Sequence, residues 1–190
     1  LSIRRQRQMC IRDSCKRNPI LFSKSPNGMF GKGVDPIYIE DIKDLDVFYD
    51  KCKKDKILLE EVLTQNDELA AFNNSAVNTI RIVTLICADD SIRIMAAVLR
   101  LSRKGKFADN FHHDGIAALI DIETGLVNTV GVDRKWNQYT VHPDSRKSIV
   151  GFQIPKWSEI LATVKNAAWV HPEVRYVGWD VTIKLSLIHI

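Results

Sequence analysis

The first segment with residues suited to chemistry is a polar loop over residues 24–33, which follows a short apolar run. Gly28, Gly31 and Gly33 lie in this loop, and glycines let backbone N–H groups approach a ligand closely. Lys24 stands directly after the apolar run, where its charge could meet a phosphate. No Gly-Lys-Ser/Thr opens a helix here, so this is not a Walker loop. A phosphate-binding loop and an ordinary hairpin turn both fit the pattern.

Two acids, Glu60 and Glu61, stand at the end of an apolar strand predicted over residues 57–63, which we expect to be buried. A carboxylate there could accept a hydrogen bond from the amino group of an adenine, while the adjacent backbone contacts the edge of the ring. The alternative is a solvated strand end with no ligand. The sequence leaves both interpretations open.

Arg100 ends a face that is otherwise apolar, if the strand alternates regularly. The alternate residues before it are Val98, Ala96, Ile94 and Ile92. A charge on such a face needs a partner or a ligand. Arg81 alternates in the same way with apolar residues on the preceding strand, so we expect both arginines to face one cleft together with Lys24. They would suit a phosphate or a carboxylate ligand, or would pair with Asp109 or another acid.

The segment 109–115 contains adjacent histidines between two aspartates. Neighbouring residues of a strand point to opposite faces, so at most one of these histidines could join an aspartate at one ion, and zinc is disfavoured. Asn110 presented to a ligand is the better functional interpretation. A different metal site is indicated by Asp180, which lies within an apolar segment. We expect its carboxylate to be buried, and hard ions such as Mg²⁺ prefer such oxygens.

The elements that must position these residues are mostly strands. The segments 79–87 and 91–101 form one predicted hairpin, and 116–122 and 126–132 form another. We expect residues 94–99 to be covered on both faces, because they are apolar throughout. Helices are predicted from apolar stripes that begin at Leu45 and after Pro155. The final strand is predicted over residues 174–183, and the class is α+β with mostly antiparallel pairing and flanking helices.

The charge pattern argues against nucleic acid as a partner. The formal net charge is +4, but six basic residues and one acid give +5 within residues 1–17 and leave −1 for residues 18–190. The strings 9–14 and 185–190 resemble translated adapter DNA, so we expect residues 1–17 and 184–190 to be non-native or disordered tails with few contacts. No apolar run is long enough to span a membrane, and the four cysteines lack metal-site spacing. We expect a cytoplasmic protein.

Several segments in order resemble the ATP-grasp superfamily, in its sugar-transfer-associated branch. The matching segments are 24–34, 58–62, 75–81, 96–100, 109–112, 115–116, 142–143 and 178–180, which span nearly all of residues 18–183. The resemblance implies an ATP-grasp-like fold that clamps ATP between two lobes, residues 18–63 and 64–183. It implies ATP and Mg²⁺ as cofactors and an unknown small-molecule or saccharide-linked substrate.

The resemblance also implies a role for each candidate residue. Lys24 would contact ATP phosphates beneath a lid formed by Gly28, Gly31, Lys32 and Gly33. Glu60 or Glu61, together with Val62, would form the adenine hinge. Arg81, Arg100 and Asn110 would line the reacting end, and Asp180 would be a magnesium ligand.

The parent reaction implied by the family is activation of a carboxylate as an acyl phosphate and its transfer to an amine or similar nucleophile. A context in polysaccharide biosynthesis follows from the family name. The family's Glu-x-Asn pair is missing after Asp180, and so is the lobe expected before Ile20, so we expect a domain incomplete at both ends. Such a chain would bind ATP weakly, with little dependence on Mg²⁺ and no hydrolysis. The alternatives are a glutamate-ligase-type peptide-forming enzyme and a non-catalytic β-rich binding module.

Overall fold

The computed structural model describes residues 11–25, 34–105, 114–184 and 187–189. The chain divides into two compact units, residues 1–63 and 64–190. No helix in the described ranges is long and apolar enough to cross a membrane.

The first unit contains a three-stranded antiparallel sheet with the strand order β2-β1-β3. Its strands are β1 (Ile20–Lys24), β2 (Val34–Tyr38) and β3 (Leu58–Glu61). Helix α1 covers residues 11–17, a 3-10 turn covers Ile39–Asp41, and helix α2 covers Leu45–Lys54.

Helix α2 begins where the sequence predicts it. The carboxylate of Asp44 accepts hydrogen bonds from the backbone N–H groups of Asp46 and Val47, which satisfies two of the donors that a helix start leaves unpaired. The helix buries Tyr49 and Cys52 on one face, as its apolar spacing indicates.

Two expectations for this unit are wrong. Strand β3 is not buried: it pairs only with β1 at the edge of the sheet, and Leu58 is 57% exposed. Residues 11–17 do contact the rest of this unit, because Cys15 is buried and Ser14 Oγ donates an exposed hydrogen bond to Glu61 Oε1 at 3.2 Å. Net positive charge in a segment therefore does not prevent it from packing through its few apolar positions.

The second unit is built on a seven-stranded antiparallel sheet with the order β10-β9-β4-β5-β6-β7-β8. Its strands are β4 (Thr79–Ile86), β5 (Ile92–Leu101), β6 (Ile116–Leu119), β7 (Gly131–Val132), β8 (Gln138–Tyr139), β9 (Tyr176–Lys184) and β10 (Leu187–His189). Its helices are α3 (Asp67–Ala70) and α4 (Trp157–Ala168). The two predicted hairpins and the helix after Pro155 are present, so the α+β class with antiparallel sheets is confirmed.

One face of this sheet forms the core. Ile80 and Ile82 of β4 and Leu99 of β5 are fully buried, and α4 covers them with Ile160 and Val164. The opposite face of β5 is only partly buried. The expectation that β5 is covered on both faces is therefore wrong within this unit, although β5 does lie between two strands.

A β-bulge at Met95 changes which residues share a face. Val83 pairs with Ala96 while Thr84 pairs with Ile94, so Met95 has no partner across the strand. Ile94 consequently packs against the core instead of lying on the face of Arg100. The regular alternation assumed from the sequence holds from Ala96 onward and fails before it.

The last two strands also differ from expectation. Strand β9 begins at Tyr176, because the preceding residues form a turn in which the Val174 N–H donates to the carbonyl of His171 at 3.0 Å. Residues 187–189, expected to belong to a tail with few contacts, pair antiparallel with β9. Backbone hydrogen bonding to an edge strand does not depend on side-chain identity, so composition gave no signal for it.

Candidate functional site

Arg81 and Arg100 lie on adjacent strands and on the same face of the sheet. Arg81 pairs across β4 and β5 with Val98, and Arg100 stands two residues further along β5. Residues two apart share a face of a strand, so the two guanidinium groups lie diagonally across the pair. This part of the expectation is confirmed, because the bulge at Met95 lies outside the stretch that joins them.

Both arginines converge on the carboxylate of Asp180 in β9. Arg100 Nη1 donates to Asp180 Oδ1 at 2.9 Å, and Arg81 Nε lies 3.2 Å from the same oxygen. The strand register produces this meeting, because Arg81 and Asp180 are direct partners across β4 and β9. We call these three residues the Arg81–Arg100–Asp180 cluster.

A glycine at position 178 leaves room for Arg81. Arg81 Nη1 donates to the carbonyl of Gly178 at 3.0 Å. A Cβ at this position would lie 3.1 Å from the same nitrogen, so any side chain there would crowd the guanidinium. The Gly178-Trp179-Asp180 segment therefore supplies both an acceptor and the space for the arginine.

The expectation that Asp180 is buried is wrong. Its side chain is 49% exposed, because the positions of β9 that enter the core are Val181 and Ile183 and Asp180 faces the opposite side. Alternation places Asp180 on the face of Gly178 and not on the face that enters the core. From the sequence we expect the arginines to bind a ligand or to pair with Asp109 or another acid. In the structure this acid is Asp180, and Asp109 lies outside the described residues.

The cluster does not fit a magnesium site as it stands. No group of three or more histidine, cysteine, aspartate or glutamate side chains in the described ranges could hold a metal ion. One oxygen of Asp180 is already neutralised by two guanidinium groups, and Mg²⁺ needs several oxygen ligands in near-octahedral geometry. What the arrangement can do is bind an oxyanion in place of the carboxylate.

A buried polar network fixes the strand ends that carry the arginines. Asn78 is fully buried, and its Oδ1 accepts hydrogen bonds from the Ser102 N–H at 2.9 Å and from Ser102 Oγ at 3.1 Å. Its Nδ2 donates to Gln65 Oε1, and Gln65 Oε1 also accepts from the Asn78 N–H. The network therefore ties the start of β4 to the end of β5, next to the register pair of Thr79 and Arg100.

This network was not predicted from the sequence. The sequence feature that could have indicated it is an amide residue, Asn78, immediately before an apolar strand. Such a residue is usually solvated, and only the fold shows that both of its polar atoms are satisfied in the interior. We interpret Asn78 and Gln65 as positioning residues for Arg100.

His142 has a structural role. It is fully buried, its Nε2 lies 3.0 Å from the carbonyl oxygen of Ser102, and the Ser145 N–H donates to its Nδ1. Burial lowers the pKa of this imidazole. A neutral ring that donates from Nε2 and accepts at Nδ1 satisfies both contacts.

In the first unit, two candidate nucleotide-binding residues pair with each other. Lys24 Nζ lies 2.6 Å from Glu60 Oε2, and both side chains are more than one third exposed. Glu61 accepts a hydrogen bond from Ser14 and lies 3.8 Å from Arg17 Nη2. Val62 is exposed. The roles of these residues stay predictions.

Five further candidates lie outside the described residues, and their assigned roles also stay predictions. They are Gly28, Gly31, Lys32, Gly33 and Asn110.

Comparison with known proteins agrees with the ordered resemblance. A sequence model of the family described as sugar-transfer associated ATP-grasp matches residues 14–187. No curated protein and no solved structure matches the chain. The family match covers most of the chain, including both arginines, Asp180 and the segment around Lys24. The chain therefore belongs to the sugar-transfer associated ATP-grasp family.

Proposed function

We propose that the Arg81–Arg100–Asp180 cluster binds the phosphate end of ATP. The observation that carries this proposal is the convergence of two guanidinium groups on one exposed carboxylate oxygen, at 2.9 and 3.2 Å. A phosphate presents several oxygens to planar donors and can accept from both arginines at once. ATP-grasp membership supports nucleotide binding as the general activity.

Asp180 then acts as the counter-ion that an incoming phosphate displaces. Its side chain is about half exposed, so water can solvate the carboxylate when a phosphate takes over its contacts with the arginines. Arg100 is the more enclosed of the two arginines, with a side chain 17% exposed. A guanidinium with little access to water interacts more strongly with an anion, so Arg100 contributes more to affinity than Arg81.

The reaction we propose is of the ATP-dependent ligase type. A substrate carboxylate attacks the γ-phosphate to form an acyl phosphate and ADP, and an amine or similar nucleophile then takes the acyl group and releases phosphate. In this scheme the two arginines hold the negative charge of the transferred phosphoryl group and of the acyl phosphate. We place the substrate in a saccharide-linked context because of the family description.

We extend the proposal to the first unit as separate nucleotide contacts. Lys24 carries a positive charge at the end of β1, where its present partner is the exposed carboxylate of Glu60. We propose that Lys24 contacts nucleotide phosphate and that Glu60 or Glu61, with Val62, contacts adenine. The glycine loop and Asn110 keep the roles that the family resemblance implies.

The phosphate proposal is tested by calorimetric titration of ATP in the presence of EDTA. The test variant is Arg81→Gln/Arg100→Gln, and the matched control is Arg93→Gln. Arg93 pairs with Leu85 on the same face toward the other end of β5. We expect the double variant to lose at least about tenfold in ATP affinity, since a hydrogen bond to a charged group contributes about 1.5–3 kcal/mol.

Adenosine, which has no phosphate, separates phosphate binding from general damage. Its affinity should be the same for the wild type and the double variant. Equal loss of ATP affinity in the Arg93 control, or no effect in the double variant, would contradict the proposal. We also expect addition of Mg²⁺ to change ATP affinity little, because the described residues offer no set of metal ligands.

A further inference from the structure

The hairpin that joins β7 and β8 exposes an aromatic side chain with two cations beside it. Its connecting residues are Asp133, Arg134, Lys135, Trp136 and Asn137. Trp136 is 76% exposed, more than any other large apolar side chain in the described ranges. Arg134 and Lys135 are exposed as well. Large aromatic side chains are normally hidden, so this exposure calls for a physical reason.

The backbone of this hairpin holds Trp136 in a conformation that costs energy. Trp136 has φ of 64°, and its N–H donates to the carbonyl of Asp133 at 3.0 Å. Glycine is the usual residue where a hairpin loop of this kind needs a positive φ. A bulky aromatic there is an outlier of the kind that concentrates at functional positions.

Asp133 makes the loop rigid. Its Oδ1 accepts hydrogen bonds from the N–H groups of Lys135 and Asn137, and its Oδ2 accepts from Asn137 Nδ2 and Tyr139 Oη. These bonds, the one from the Asn137 side chain above all, lower the pKa of Asp133 to about 2. The carboxylate is buried and turned inward, so the outer surface of the loop carries the positive charges alone. A preorganised loop loses little conformational entropy when it binds a ligand.

We propose that this hairpin is a binding site for an acidic saccharide. The indole face packs against the C–H face of a pyranose ring, and Arg134 and Lys135 bind the carboxylate that the sugar carries. Gln138, which is exposed at the start of β8, donates to or accepts from a ring hydroxyl. The proposal does not depend on ATP binding at the Arg81–Arg100–Asp180 cluster.

Two other classes of partner fit the hairpin less well. A bilayer surface favours a broad apolar face with many basic residues, and here one indole is followed by the polar residues Asn137 and Gln138. A single-stranded nucleic acid is bound by rows of aromatic side chains along a basic groove, and this loop presents one aromatic residue. One ring preceded directly in sequence by two cations fits one acidic sugar unit, whose carboxylate can accept hydrogen bonds from both.

The test uses a hexamer of galacturonic acid as the probe and maltohexaose as its neutral counterpart. Binding to the full chain is followed by NMR shifts of the tryptophan indole N–H signals. We expect the acidic hexamer to bind and to shift the Trp136 signal, with at least tenfold weaker binding of the neutral hexamer. Failure of the acidic hexamer to bind, or equal binding of both, overturns the proposal.

Three variants locate the site. Trp136→Gly removes the indole and relieves the positive φ, so we expect unchanged or higher melting temperature together with loss of saccharide binding. Arg134→Gln/Lys135→Gln should abolish the preference for the acidic hexamer. Trp169→Ala is the control, because Trp169 is also an exposed tryptophan but lies at the end of α4. Equal loss in this control overturns the proposal.

The remaining partners are tested in parallel. Vesicles of phosphatidylcholine and phosphatidylglycerol, and a short single-stranded DNA, are titrated against the wild type and Trp136→Gly. Binding of either that depends on Trp136 and is tighter than that of the acidic hexamer overturns the saccharide assignment in favour of that partner. Weak binding of both that is independent of Trp136 supports the assignment.

Discussion

Two arginine–aspartate arrangements in the described part of the second unit use the same residue types in different numbers and geometry. Asp144 is held by one arginine: Arg103 Nε donates to Oδ2 at 2.7 Å and Nη2 donates to Oδ1 at 3.1 Å. The Lys104 N–H adds a third bond to Oδ2 at 2.9 Å. Both carboxylate oxygens are therefore engaged, and hydrogen bonding by Arg103 above all lowers the pKa of Asp144 to about 2.

In the Arg81–Arg100–Asp180 cluster, the ratio of arginines to engaged carboxylate oxygens is reversed. Two arginines share one oxygen of Asp180, and the carboxylate is 49% exposed, against 24% for Asp144. The pair at Asp144 is a closed structural contact between a strand end and a loop. The cluster at Asp180 brings two positive charges to one half-exposed negative charge, which is the charge balance that an exchangeable anion site requires. Counting ion pairs alone would not distinguish the two.

The largest expected effect is on ATP affinity, and it distinguishes Arg100 from Arg103. Arg100→Ala should lower the affinity for Mg²⁺-free ATP by about 10- to 100-fold, because it removes a charged donor of about 1.5–3 kcal/mol. Arg103→Ala should leave that affinity unchanged, since its guanidinium is committed to Asp144. Calorimetry measures both. A similar loss of ATP affinity in the two variants would contradict the proposal that Arg100 binds phosphate while Arg103 has a structural role.

The next effect concerns stability. Asp144→Asn should lower the free energy of unfolding by about 2 kcal/mol, because it removes an acceptor that makes three charge-assisted hydrogen bonds. Asp180→Asn should cost less than about 1 kcal/mol, as expected for an exposed pair. Urea denaturation of both variants checks this. The opposite order would show that the Asp180 cluster is the structural one.

Acid should weaken the Asp144 contact in a defined range. The pKa of Asp144 is lowered in the folded state to about 2, so its contribution is complete above the unfolded-state pKa near 4 and disappears as the pH falls toward 2. After allowance for solvent screening, this contribution is about 1–2 kcal/mol. Asp144→Asn should reduce the loss of stability between pH 4 and 2 without abolishing it, because Asp133 titrates in the same range. Denaturation curves across this range provide the test.

The smallest expected effect tests whether Asp180 acts as a counter-ion or as a metal ligand. As a counter-ion, Asp180 competes with phosphate, so Asp180→Asn should raise the affinity for Mg²⁺-free ATP several-fold, equivalent to about 1 kcal/mol for one exposed charge pair. As a metal ligand, it should instead lower the affinity for ATP in the presence of Mg²⁺. Titrations of the variant with and without Mg²⁺ separate these roles.

The sequence predicted the strands and helices better than it predicted their environments. Both hairpins and the helix after Pro155 follow from local patterns of apolar and turn residues, which can be recognised within each segment of the sequence. Burial is different, because it depends on which face another element covers. The open face on which Arg100 lies, and the exposure of Asp180, could not be predicted from apolar neighbours alone.

The candidate site was predictable in part for the same reason. Arg81 and Arg100 could be paired from alternation, since the hairpin between them is local in sequence. The partner Asp180 is 80 residues from Arg100, so its pairing depends on β9 joining β4. The buried contacts of Asn78 depend on a loop and two strands folding together, and no local pattern encodes them.

The bulge at Met95 makes β5 tolerant of a change in chain length at one position. The Met95 side chain is exposed and has no partner across the strand, so most substitutions there should be silent. Deleting the residue would make Ile94 and Ala96 consecutive residues on opposite faces, which is what their partners Thr84 and Val83 already require. Ile94 would stay on the core face and Arg100 on the open face. A deletion scan of β5 should therefore find the loss of Met95 among the best tolerated, because it removes the bulge and leaves the other side chains on their faces.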